Sequence, residues 1–72
     1  MPQPMPVMHI IHGDGPTAAL PAYLVPVDDT TGAVHHVWVH ARDGAMATHE
    51  ATAHLAAKGI PIRTVFPAEL VA

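Results

Sequence analysis

One stretch of this chain, DGAMATHEATAHLAAKG (residues 43–59), can make a helix of several turns, and all eight prolines lie outside it. Alanine carries the highest helix propensity. Asp43 is placed to accept from the first turn as an N-cap, Lys58 sits at the negative end of the helix dipole, and Gly59 falls where a left-handed C-cap belongs. The segment predicts a helix over residues 44–58. No second stretch offers one, so the rest of the fold must be strands and loops. A single helix shields only one face of a sheet.

The strands follow from β-branched and apolar runs between turn residues. Residues 7–12 (VMHIIH) form the first and GDGP stops it. Residues 17–20 have room for one helical turn between Pro16 and Pro21. Residues 23–27 (YLVPV) form the second strand, and Pro26, which cannot donate to a ladder, favours an edge position for it. DDTTGA is a hairpin loop by composition. Residues 34–41 (VHHVWVHA) form the third strand, and residues 60–66 (IPIRTVF) form the last, closed by Pro67. The expected fold is α/β of the α+β kind, in the order β-β-β-α-β. It has a small mixed sheet of three to four strands with one helix on one face, and the strand–helix–strand end should form a parallel crossover. Residues 1–72 make one domain, of which residues 1–6 are an extended proline-rich start.

At 72 residues, a chain buries only about 60% of the surface its unfolded form exposes. Much of the apolar content is alanine, which adds little buried area. With no cysteine, neither a disulfide nor a thiolate metal site supplements that core. Self-association, or docking on a larger protein, is the remaining support. A net charge of −3 with three basic residues gives phosphate little to bind, so direct nucleic-acid binding is not expected. No apolar run approaches the length of a membrane span, and the start of the chain lacks a basic leader, so a cytoplasmic location is expected.

Within the helix, His49-Glu50 followed by His54 invites comparison with a zinc-peptidase signature. That signature sets its histidines four apart on one helix face. Five apart, the two imidazoles diverge by roughly 140°. The longer pattern His-Glu-x-x-x-His resembles the dipeptidyl peptidase III type, across these six residues alone. Nothing here supplies that family's further glutamate ligand, and the helix is expected to carry one exposed histidine and one at the margin of the core.

The chain has seven histidines. Alternation along residues 34–41 places His36 and His40 on one face and His35 on the other. His36 and His40 lie about 13 Å apart along a strand, so a metal site needs His9 or His12 from a neighbouring strand. Imidazole suits zinc, copper and nickel, and a zinc-binding protein using His36, His40, His9 and His12 is the alternative reading. Pro2, once the initiator Met is removed, resembles the N-terminal proline base of the tautomerase superfamily, which implies a third, enzymatic reading. QPMP intervenes before the first strand, and the expected helix after that strand is interrupted by proline. There is no serine or cysteine nucleophile, HGDGPT reads as a turn, and Asp28 and Asp29 read as turn formers.

What remains is a face. Val37, Val39 and Ala41 suit the core under the helix, and His36, Trp38 and His40 then look outward, joined by Tyr23 or Arg63 according to register. A lone tryptophan is more often a core residue than a contact, but Trp, Tyr and Arg are the residue types that dominate binding hot spots, and this face can bring all three together. On the helix, Ala47, Ala51 and Leu55 make one stripe, and Met46, Ala53, Ala56 and Ala57 make another that a second copy could cover. The expected function is a small non-catalytic protein–protein interaction module, of the accessory or inhibitor type found in phages and mobile elements. It should bind a larger protein through Trp38, His36, His40, Tyr23 and Arg63, self-associate through Met46, Ala53 and Ala57, and need no cofactor.

Overall fold

The computed structural model describes residues 5–11 and 20–71. The elements are β1 (Val7–Ile11), β2 (Ala22–Asp29), β3 (Val34–His40), α1 (Gly44–Ala57), β4 (Ile62–Val65) and β5 (Glu69–Leu70). They form an α+β fold, a mixed sheet of five strands in the order β1-β3-β2-β4, with β5 also paired to β2. The expected order is present, and β5 is an addition that a two-residue strand after Pro67 does not announce. The expected turn at residues 13–16, most of the helical turn at residues 17–20, and Pro2 lie outside the described residues.

β2 is the one strand that runs against the others. It is antiparallel to β3, β4 and β5, and β1 is parallel to β3. β3 and β4 therefore run the same way, as a crossover requires, but β2 lies between them. This corrects the edge position expected from Pro26: β2 is an inner strand. The Phe66 N–H donates to the Pro26 carbonyl, 2.9 Å, so the backbone nitrogen of Pro26 faces that same side. It lies where β4 has ended and β5 has not begun, and at that gap no ladder donor is needed.

The core sits between one sheet face and the helix. Val25, Val27, Val37, Val39, Ala41, Ala47, Ala51 and Leu55 form it, all fully buried. Ala47, Ala51 and Leu55 recur every four residues and so share one side of α1. The two alanines let the helix approach the valines closely, and Leu55 is the largest fully buried side chain. The hairpin turn between β2 and β3 closes through Asp29, whose N–H donates to the Ala33 carbonyl, 3.0 Å, with Gly32 at φ +91°.

Both helix ends are capped as expected. The Met46 N–H donates to Asp43 Oδ1 at 2.8 Å. At the other end the Gly59 N–H donates to the Ala56 carbonyl and the Ile60 N–H to the Leu55 carbonyl, both at 3.0 Å. That pair of bonds is a Schellman motif, and it requires Gly59 at φ +75°. A Cβ at Gly59 would meet nothing within 4 Å, so its cost is backbone strain alone. Gly59→Ala is expected to destabilise by ~1 kcal/mol, read as a small fall in the thermal midpoint with an unchanged circular dichroism spectrum.

Candidate functional site

Two features carry polar or exposed chemistry, one on each face of the sheet. On the helix face, where a core is normally apolar, four side chains form a hydrogen-bonded line. Asp29 closes β2, His35 is the second residue of β3, His9 is the middle of β1, and His54 lies in the last turn of α1. Asp29, His35 and His9 are buried, at 5%, 5% and 7% exposure. His35 Nε2 lies 2.8 Å from Asp29 Oδ2, His9 Nε2 lies 2.9 Å from His35 Nδ1, and His54 Nε2 lies 3.3 Å from His9 Nδ1.

The fold positions each member. Parallel pairing sets His9 opposite Val37 and Val7 opposite His35, so His9 and His35 are diagonal neighbours on one face. On the helix, His54 sits beside the Ala47–Ala51–Leu55 stripe and turns toward β1. Asp29 divides its two oxygens. Oδ1 holds the turn, accepting from the Thr31 N–H at 2.8 Å, the Thr31 hydroxyl at 2.6 Å and the Ala33 N–H at 3.1 Å; Oδ2 faces His35. Among the described residues no buried side-chain polar atom lacks a partner.

The electrostatics set the direction of the line. The hydrogen bonds from the Thr31 hydroxyl and His35 hold the Asp29 carboxyl well below the usual carboxylate range. Asp29 is therefore an acceptor, and His35 Nε2–H donates to it. With all three imidazoles neutral, His35 Nδ1 then accepts from His9 Nε2–H, and His9 Nδ1 accepts from His54 Nε2–H. Burial, then His35, His54 and Lys58, push the His9 imidazole below its ordinary 6.5. Burial and Lys58 do the same to His54.

The opposite face is built by the alternate residues. Cross-strand pairing lines up Ile10, Trp38 and Leu24 in one row, and Met8, His36 and Pro26 in the next. Met8 and Ile10 are 56% and 62% exposed, while Trp38, Leu24, His36 and His40 are partly exposed. The only helix among the described residues lies on the other side. His40 Nδ1–H donates to the Leu20 carbonyl at 3.2 Å. Asp28 and Glu69 share this face on the β4 and β5 side, through their pairings with Val34 and Leu24.

The expected contact residues therefore divide. His36, Trp38 and His40 lie together on the open face. Tyr23 does not join them: it pairs with the buried Val39, packs against the core, and its ring approaches Gly44 at the start of α1. Arg63 is exposed and falls at the register shift where Thr64 faces Asp28 and Ile62 faces Asp29. Of the expected self-association stripe, Ala53 and Ala57 are exposed, but Met46 packs against the chain's own core. The expected metal set is divided as well. His9 is on the helix face, His36 and His40 are on the open face, and His12 lies outside the described residues. Among the described residues no group of three or more His, Asp or Glu is arranged to hold a metal ion. His49 is exposed and His54 turns to His9, so the two helix histidines do not converge.

The histidine line was missed by sequence reasoning as a unit. Its available signals were the placement of His35 on the aliphatic side of its strand and of His54 beside the helix core stripe. Comparison with family models, with characterised proteins and with solved structures yields no match to this chain.

Proposed function

We propose that this chain is a non-catalytic protein-binding module that docks on a larger protein through its open sheet face. The observation that carries this reading is the apolar row Ile10–Trp38–Leu24, continuous across three strands on the side away from the helix. Tryptophan is among the residue types that dominate binding hot spots, and Trp38, itself partly exposed, lies between the exposed Ile10 and the partly exposed Leu24. The face carries Asp28 and Glu69 along the side of β4 and β5. Its partner is accordingly a surface with an apolar centre and basic side chains along one border. Accessory and inhibitor proteins work in this way, by occupying a surface and without a reaction of their own.

A photo-crosslinking residue placed at position 38 should give a discrete adduct with a larger protein in extracts of the native host. Unlabelled wild-type chain should compete that adduct away, and Ile10→Lys should abolish it with the circular dichroism spectrum intact. The same probe at the exposed His49, on the helix, should give none. Equal labelling from both positions, or an adduct only with a second copy of the chain, would refute docking on a larger protein.

A further inference from the structure

The line from Asp29 to His54 has a proton capacity that its geometry sets. With Asp29 ionised and three neutral imidazoles, every contact has one donor and one acceptor, and the outer nitrogen, His54 Nδ1, has no hydrogen-bond partner among the described residues. One proton from solvent can enter there with no hydrogen bond lost. It can also be handed inward, each imidazole passing a proton to the next, until His35 donates from both nitrogens and sits as a cation against Asp29. A second proton cannot be placed this way. Wherever it sits, two adjacent ring nitrogens both bear hydrogen and face each other, so one of the 2.9 Å and 3.3 Å contacts must open.

We infer that this line is a proton-operated latch on β1, which holds the strand through one protonation and releases it on the next. β1 is held only weakly by other means. Among the described residues it pairs on one side only, through its parallel ladder to β3. Three of its five side chains, Val7, Met8 and Ile10, are 45–62% exposed. Val7 shares the helix face but is exposed, so the side chains that pack inward are His9 and Ile11. His9 is gripped from two elements, His35 of β3 and His54 of α1, and the other charged groups facing the line are Asp29 of β2 and Lys58 at the end of α1. Two cationic rings in contact beside Lys58 push His9, and β1 with it, outward. The low proton affinity of His9 and His54 agrees with a line that resists that second charge.

The latch is a property of the free chain. Its consequence for binding rests on the reading above, because β1 supplies Met8 and Ile10 to the open face. Amide hydrogen exchange, corrected for intrinsic rates and followed with the histidine ring signals by NMR, tests it on the free chain. Two titration steps are expected. β1 protection should survive the first and fall about tenfold per pH unit below the second, the slope of one proton taken up on release, while β2 and β3 stay protected. His9→Gln keeps hydrogen-bonding capacity without the charge and should hold β1 closed below the wild-type release point. Where His9→Gln does not fold, the wild-type profile decides alone. β1 and the inner strands losing protection together, β1 staying closed after all the rings are charged, or His9→Gln releasing at the wild-type pH would each overturn the latch. Loss of the partner adduct without β1 opening would count against the docking reading and leave the latch standing.

Discussion

Leu55→Ala should cost about 2–5 kcal/mol, enough to leave a chain of this size largely unfolded at ordinary temperature. The reason is the make-up of the core. Its other members are valines and alanines, and Leu55 is the largest fully buried side chain in it. Removing it opens a cavity between α1 and β2–β3 whose fully buried neighbours are valines and alanines, too short to lean in and fill it. Leu55 also supplies the carbonyl that closes the helix C-cap, and Ile60 packs against the core that Leu55 helps to form. Urea titration followed by tryptophan fluorescence measures the loss. A change below about 1 kcal/mol would mean the helix can settle onto the sheet without it.

Asp29→Ala is the second large effect, and it acts through polar groups. One carboxylate accepts four hydrogen bonds: three of them shape the hairpin turn and one holds His35. The substitution removes all four and strands the buried His35 N–H, which is the costly side of losing a hydrogen-bond partner. A lower thermal midpoint is expected, together with a change in the ring signals of His9 and His35 by NMR. Asp29→Asn should fall between, since its one carbonyl can serve either the turn or His35. The pH dependence has a definite sign. His9 and His54 are pushed below 6.5 in the fold, so the unfolded chain binds more protons, and wild-type stability declines as pH falls below 6.5 toward their folded values. Asp29 is held below its ordinary 3.8, so a second decline begins as pH falls below that value. In Asp29→Ala the second decline should be shallower. An unchanged acid limb would show that Asp29 is not held by the bonds seen here.

The order of elements was legible because each rests on local chemistry. Asp43 and Gly59 mark the helix ends, DDTTGA marks the hairpin, and the valines of residues 34–41 alternate with polar residues. What was not legible depends on which strand lies next to which. Pro26 argues for an edge as long as β4 and β5 are taken as one strand. It is tolerable inside the sheet because β4 ends at Val65, and Phe66, in the gap before β5, is the residue that faces its missing donor. Tyr23 is polar at its tip and could have faced either way, and the Tyr23–Val39 pairing sends it to the helix side. His9 was grouped with His36 and His40 by residue type. The parallel register of β1 puts it on the other face, beside His35, which is 26 positions distant in sequence. Asp29 was half read: a turn-forming carboxylate is evident in DDTTGA, but its second oxygen finds His35 only when β2 and β3 are in register.

The two borders of the described sheet are unlike. One is broken into β4 and β5, divided by Pro67 and bearing Arg63 and Glu69. Prolines, charges and short strands all discourage a foreign strand from adding there. The other is β1, VMHII, without charge or proline. Among the described strands, growth by strand addition therefore has a single entry point. Two molecules can join β1 to β1 about a two-fold axis, and that contact consumes the entry point of both. Head-to-tail stacking would need the interrupted border to accept a strand, so such pairing closes on itself and does not propagate into a filament.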